Sequence, residues 1–420
     1  MPEAITSHAP TAAGPGELLR LKAEYLIPCV YHFYKRPPQI VAGRGCTLTD
    51  HEGNEYLDCF SGVTVMSAGH CNPEIIEPAI EQARTLQHTT SIYLTEPVLR
   101  LAQKLAQITP GALRRSFFCA SGSEAVEGAM LLAALHTGRS EIIAFGGALH
   151  GRTRWAMNAT GLDMWRTDPS PLSTVHHTPF NDIGALRALL EERAGKIAAI
   201  IGEPIQGNGG INVPDPSFWP AVRNLCNQHG VALIFDEVQT GLNRTGRWFA
   251  CQHWDVVPDI LVISKALGNG FPIAAFITTD AFARSYTRPG ASTHGGNPVS
   301  AAAALATIAF HESHNLGRCA TSRGNQLRAG LAALAARHPE KLSPPRGVGL
   351  MLGLPCNDSA GHPSAARCDA LLESLKDRAI LAGKTGPARN ILTFMPPLII
   401  TEPQVSQLLD ALAAALDELP

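Results

Sequence analysis

The sequence predicts an α/β protein: a mainly parallel sheet with helices on both faces, plus a smaller α+β unit assembled from the two ends of the chain. Two observations carry this. Between about residue 115 and residue 290, short apolar runs alternate with helical stretches: RSFFCA, EIIAFGG, KIAAIIGEP, VALIFDEV, DILVISK and IAAFITT. The runs are continuous rather than alternating, as expected of strands buried on both faces of a parallel sheet. Outside that pattern, RGVGLMLGLPC (346–356) and ILTFMPPLIIT (391–401) read as strands of a separate unit. A chain of 420 residues, 45% of them hydrophobic, has room for two or three domains and a large core.

The elements follow in chain order. Residues 1–16, rich in Pro, Ala and Gly, read as a loose tail. Residues 40–62 alternate short apolar stretches with Gly, Asp and Asn, which predicts a small antiparallel hairpin region turning at DHEGN. PEIIEPAIEQARTLQH (73–88) and EPVLRLAQKLAQITPG (96–111) space their apolar residues as helices do. The strand–helix alternation comes next, and VSAAAALATIAFHE opens a helical region near residue 300.

Bulk properties exclude several classes. A net charge of −2 gives no electrostatic case for nucleic acid or an anionic membrane as partner. No apolar run approaches the roughly 20 residues that span a bilayer, and the first residues lack a basic region followed by an apolar core. The ten cysteines form no CxxC, and the sixteen histidines, His176-His177 included, form no HExxH. The expectation is reduced thiols in a cytoplasmic protein with no metal site.

Ligand sites in such sheets lie at the carboxyl ends of the strands, so the residues that follow each run matter. RSFFCA is followed by Ser121, Gly122, Ser123 and Glu124. EIIAFGGAL is followed by His150, Gly151 and Arg152; KIAAIIG by Glu203; VALIF by Asp236; and DILVIS by Lys265. One polar strand exit is ordinary; five in succession make a site. A Ser-Gly-Ser turn opening a helix offers free N–H groups and a positive dipole end, which suit a phosphate. The same residues also read as a plain cap, with Ser121 and Glu124 as a capping box. Asp236 reads as a metal ligand, an ion-pair member or the partner of a protonated heterocycle. A desolvated lysine is a nucleophilic amine, although a lone lysine at a strand exit also snorkels to solvent. Phosphate cradle, buried acid and reactive amine together fit pyridoxal 5'-phosphate.

The chain also resembles the class III (subgroup II, ω-type) aminotransferases of the fold type I pyridoxal-phosphate enzymes. The resemblance runs from about Leu18 to Ile400, through YLDCFSGVTVMSAGHCNPE, SGSEAVEGA, HGRT, EPIQGNGG, LIFDEVQTGLNRTG, PDILVISKALGNGFPIAA, THGGNP, RGVGLMLG and MPPL. Within the family, YHFYKRP and LQHTTSIYLTEPV look most like the alanine–glyoxylate aminotransferase 2 and ethanolamine-phosphate lyase branch. It implies a seven-stranded sheet in a large cofactor-binding domain over 61–300, and a small domain from 17–60 and 301–420. It implies that Lys265 holds the cofactor's aldehyde as a Schiff base and then shuttles the substrate's proton. Asp236 would pair with the pyridinium nitrogen, Val238 would pack on the ring and Gln239 would reach its phenolic oxygen. Ser121, Gly122 and Ser123 would serve the phosphate, and His150 and Glu203 would support the cofactor. Thr293 would reach the phosphate of a neighbouring subunit in a homodimer with shared sites.

Three positions depart from the pattern. Relatives place an aromatic residue before His-Gly, and here it is Leu149. Relatives acting on α-amino acids carry an arginine three residues before Pro-Pro and a glutamate after EPIQG; here these are Thr393 and Asn208. The two losses agree, because a buried glutamate without its arginine is an unpaired charge. Arg152 remains as an anion-binding candidate, with Arg154 and Arg166 behind it. The resemblance therefore implies an aminotransferase moving nitrogen from a primary amine or ω-amino acid to pyruvate, glyoxylate or 2-oxoglutarate. The alternative is a lyase on a phosphonate or phosphate amino alcohol.

Overall fold

The computed structural model describes residues 14–419. Seven strands form the central sheet, in the order Arg115–Cys119, Ala274–Thr278, Ile260–Ile263, Ala232–Asp236, Ile197–Gly202, Glu141–Phe145 and Val175–Thr178. Ala274–Thr278 runs antiparallel to both its neighbours, and the other pairings are parallel. Six strands therefore point the same way, and their carboxyl ends share one edge.

Side-chain alternation explains the continuous apolar runs. Ile143, Phe145, Ile200, Leu233, Phe235, Leu261 and Ile263 pack on one face with Phe218, Trp219 and Val222 of the helix Phe218–His229. Ile142, Ala144, Ile201, Ile234, Ile260 and Val262 pack on the other, with Ala125, Ala129, Met130 and Ala133 of the helix Gly122–Thr137. Each successive residue faces an opposite but equally buried layer, so no polar alternation appears in the sequence.

A third core joins the chain ends. Cys46, Leu57 and Cys59 pack with Leu327, Leu331, Leu371, Leu375, Leu408 and Leu412. Strands Ile40–Arg44, Thr47–Asp50 and Glu55–Asp58 form an antiparallel meander that turns at Asp50–Asn54. Ile380–Leu381 then pairs in parallel with Glu55–Asp58. A second small sheet is antiparallel throughout, in the order Arg346–Val348, Met351–Pro355, Ile391–Phe394, Gly383–Thr385. The helix Pro298–Ser313 couples the cores: Ala301, Ala304 and Ile308 face the large sheet, whereas Ala303 and Phe310 face the terminal core.

Two expectations need correction. The expected loose tail lies outside the described residues over 1–13, but Pro15 and Gly16 already belong to a helix, Pro15–Tyr25. Pro15 sits in its first turn, where its missing N–H is not needed. The strand Val175–Thr178 was not expected, because VHHT is short and half polar. His176 is tolerated there by its contact with Glu141 at 2.9 Å, and Glu141 is also gripped by Arg193 at 2.7 Å. All ten cysteines are unbonded. Among the described residues no helix is long and apolar enough to cross a membrane.

Candidate active site

The shared carboxyl edge of the sheet closes around a cavity of about 250 Å³. Gly122, Ser123, Leu149, His150, Arg152, Glu203, Asp236, Val238, Gln239 and Lys265 all line it, from five different strand exits. Gly151, Trp165 and Ser264 complete the wall. Two expected residues stand apart. Ser121 is the cap of the helix Gly122–Thr137: its Oγ accepts from Glu124 N at 3.3 Å, and Glu124 Oε2 accepts from Ala120 N at 3.0 Å. Ser121 is therefore a side-chain N-cap, with Glu124 reaching back to the N–H before the cap rather than closing the expected capping box, and its hydroxyl is already engaged. Thr293 lies exposed in the segment before the helix Pro298–Ser313 and does not line this cavity.

Lys265 follows the strand Ile260–Ile263 at once, in a left-handed backbone conformation with φ 42°. Such a conformation is costly for a side chain with a Cβ, and it persists where surrounding structure holds it. Its amine makes no hydrogen bond or ion pair among the described residues, although part of its surface opens on the cavity. Close packing by protein lowers its pKa from 10.5 to about 8 by desolvation, against the pull of the Asp236 and Glu203 carboxylates.

Asp236 ends its strand almost fully buried. Its Oδ2 lies 2.8 Å from His150 Nδ1, and its Oδ1 accepts from Val238 N at 3.1 Å. His150 is itself anchored by its own N–H, which donates to Thr160 Oγ1 at 3.1 Å. Glu203 accepts from Leu149 N and from Gly207 N, both at 2.9 Å. Burial nevertheless pushes its carboxyl up to about 7. Burial thus acts on both groups in the same sense, raising the Glu203 carboxyl and lowering the Lys265 amine.

Glycine permits close approach at two points, one in the wall and one behind it. A Cβ on Gly151, whose φ is +150°, would lie 2.6 Å from Ser123 Oγ. That hydroxyl instead accepts from Arg152 N at 2.9 Å. A Cβ on Gly207 would lie 2.4 Å from Gln239 Oε1.

The arginines separate by their partners. Arg154 Nε donates to Asp168 at 2.9 Å, and Arg166 is paired with Asp163. The Arg152 guanidinium is exposed at the cavity wall and joins no ion pair among the described residues. Thr393 is fully buried, its hydroxyl 2.8 Å from that of Thr385. Asn208 contributes its carbonyl, which accepts from Gly386 N at 2.9 Å.

Sheet, cavity and side chains define an α/β enzyme whose cofactor pocket opens on a desolvated lysine. Two buried polar atoms of the site, His150 Nε2 and Gln239 Oε1, find no partner among the described residues. With the N-terminus of a 16-residue helix beside them, they suit a flat heterocycle bearing a phosphate. The class-III aminotransferase family model matches residues 34–416, and the chain belongs to that family. It is 37% identical over 391 residues to acetylornithine aminotransferase of Methanosarcina acetivorans, covering 92% of this chain and 94% of that protein. It is 34% identical over 435 residues to alanine–glyoxylate aminotransferase 2 homolog 2 of Arabidopsis thaliana, covering 100% of this chain and 91% of that protein. The ornithine aminotransferase of Toxoplasma gondii superposes with a TM-score of 0.89 at 28% identity, covering 97% of this chain and 95% of that one. The protein is an aminotransferase of fold type I, and its cofactor is pyridoxal 5'-phosphate.

Trp165 escaped sequence reasoning. It sits in a three-residue 3-10 turn, Asp163–Trp165, with no strand before it. No local signal places that turn at the cavity.

Proposed function

We propose that Lys265 is the catalytic amine, and that the donor is a primary amine or ω-amino acid whose nitrogen passes to a small keto acid. The observation that carries this is that a desolvated Lys265 shares one cavity with Asp236 and Glu203. When bound, pyridoxal 5'-phosphate supplies an electron sink for the carbanion formed at the substrate.

The chain's own residues do the rest. Lys265 has an amine poised near neutral pH, so it serves both as the anchor for the aldehyde and as the base that moves the substrate's proton. Asp236, held in place by His150 and Val238 N, would be the acid that pairs with the cofactor's ring nitrogen. Gly122 and Ser123, at the start of the helix Gly122–Thr137, would offer their N–H groups to the phosphate. Val238 and Leu149 would pack against the ring, Leu149 contributing less stacking than an aromatic residue. Gln239, which lines the cavity, would reach the phenolic oxygen with its side-chain amide. Glu203 stabilises the loops on either side through Leu149 N and Gly207 N.

Arg152 is the proposed grip for an acidic group at the far end of the donor, because its guanidinium is unpaired at the wall. The acetylornithine and ornithine aminotransferase relatives are named for donors of that kind. Thr293 is proposed to complete the partner's phosphate site in a homodimer, which accounts for its exposed position outside its own cavity.

The test is a panel of donors, N-acetylornithine, ornithine, 4-aminobutyrate and uncharged amines, each with pyruvate, glyoxylate or 2-oxoglutarate. Product keto acid or aldehyde and ammonia are followed together. Transfer that requires a keto acid, weakened by Arg152→Lys for acidic donors alone, supports the reading. Ammonia released through many turnovers without any keto acid would refute it.

A further inference from the structure

A second cavity, of about 230 Å³, lies beside the strand Arg115–Cys119, which forms one edge of the central sheet. It shares no lining residue with the cavity around Lys265. We propose that this second cavity binds a small, flat aromatic anion, an inference independent of the Lys265-centred reading above.

Its wall is built from rings. Phe117 and Phe276 are partners across the paired strands Arg115–Cys119 and Ala274–Thr278, with ring centres 5.1 Å apart and planes 13° apart. The Tyr286 ring lies 6.4 Å from that of Phe117, at an interplanar angle of 4°. Three rings of nearly one orientation present a slab on which another flat ring can stack. The segment carrying Tyr286 is pinned to the helix Gly122–Thr137: the His136 ring stacks on Phe282 at 3.7 Å, and His136 Nδ1 lies 2.8 Å from Ser285 Oγ. Gly290 approaches so closely that a Cβ there would stand 2.6 Å from Tyr286 Oη, so the loop meets the ring through backbone alone.

The rim supplies charge of one sign. Arg115 and Arg288 line the cavity, and none of its lining residues is acidic. Arg115 is paired with Asp280, and Arg114 stands 3.9 Å from the same carboxylate. Arg288 is exposed and joins no ion pair or hydrogen bond among the described residues. One carboxylate thus answers two arginines, and the third has none. A guanidinium is permanently charged and presents a planar fork of N–H donors, which suits a carboxylate, sulfonate or phosphate.

Size narrows the ligand further. An apolar cavity of about 150 Å³ suffices for benzene. At about 230 Å³ this one has room for a two-ring body, with the anionic group left at Arg288. An aliphatic acid would leave the ring slab unused, and a neutral arene would leave the guanidinium unanswered.

The experiment uses the cofactor-loaded enzyme and three probes: 2-naphthoate, the neutral 2-naphthalenemethanol and the non-planar cyclohexanecarboxylate. Calorimetric titration of wild type should show one 2-naphthoate site per chain, with both other compounds binding roughly tenfold more weakly. Arg288→Gln should weaken 2-naphthoate by about the same factor, the loss expected for a charged hydrogen-bond partner. Ala283→Phe, which fills the cavity from a half-buried position, should abolish binding. Amine turnover by both variants should stay within about twofold of wild type, because neither residue lines the Lys265 cavity. Arg152→Gln should leave the titration unchanged. The proposal falls if folded wild type binds no 2-naphthoate, or if the neutral alcohol binds equally well. It falls too if Arg152→Gln removes binding that Arg288→Gln spares, which would place the anion in the active site. Sedimentation covers one more occupant: a wild type that binds no probe, with a mass that Ala283→Phe lowers, would assign this face to a second copy of the chain. None of these titrations needs turnover, so they stand even where the Lys265 reading fails.

Discussion

Replacing Asp236 by asparagine tests the electrostatic core of the site. Asp236 is 4% exposed, with one oxygen against His150 Nδ1 at 2.8 Å and the other accepting from Val238 N at 3.1 Å. Asparagine keeps the volume and one acceptor, but its amide N–H₂ either opposes the His150 N–H or forces the other imidazole tautomer. The fold should survive, because a neutral isostere in a buried site removes a charge rather than stranding one. A carboxylate about 4 Å from a cationic ring nitrogen is worth about 4 kcal/mol at an effective dielectric near 20. Losing it caps the rate loss at about a thousandfold. The assay is stopped-flow measurement of the donor half-reaction, alongside cofactor affinity by equilibrium titration. The rate constant should fall by two to three orders of magnitude, roughly 3–4 kcal/mol of barrier. Affinity should change far less, because the phosphate contacts of Gly122 and Ser123 are untouched. A rate loss under about tenfold, ~1.4 kcal/mol, would show that Asp236 does not hold the ring nitrogen.

Other outcomes follow from the same geometry. Lys265→Ala should abolish turnover while cofactor still binds, and borohydride reduction of wild type should fix the cofactor to the peptide containing Lys265; label elsewhere would end the assignment. In the cofactor-free protein, a lysine lowered from 10.5 to about 8 binds fewer protons folded than unfolded. Its penalty is therefore full below pH 8 and is relieved as pH rises from about 8 to 10.5, so urea stability of wild type relative to Lys265→Met should climb across that window. Glu203, raised from 4.5 to about 7, acts oppositely: its folded form holds the extra proton, so wild type should lose stability relative to Glu203→Gln as pH rises from 4.5 to 7. Gly207→Ala should displace the Gln239 amide and weaken cofactor binding up to about tenfold, the scale of one hydrogen bond. Intact affinity would place Gln239 outside the cofactor's reach.

The central sheet and much of the candidate site were legible in the sequence, for a local reason. A strand buried on both faces must be continuously apolar, and polar groups can appear only where it ends, so Asp236 and Lys265 stand out at the exits of Ala232–Asp236 and Ile260–Ile263. Ser121, Gly122 and Glu124 announced a helix start in the same local way. The sequence by itself thus determined which residues face the edge. Tertiary structure decided which of them meet. His150 reaches Asp236 across 86 residues, and Glu203 collects Leu149 N across 54. The strand Val175–Thr178 exists because it has a neighbour to pair with and Glu141 to accept His176. Trp165 joins the cavity wall from a turn outside the strand exits, and the Tyr31 ring meets it from far away in the chain. Periodicity records the environment of a single element. Pairing between distant elements is set by register and packing, which leave no mark on neighbouring residues.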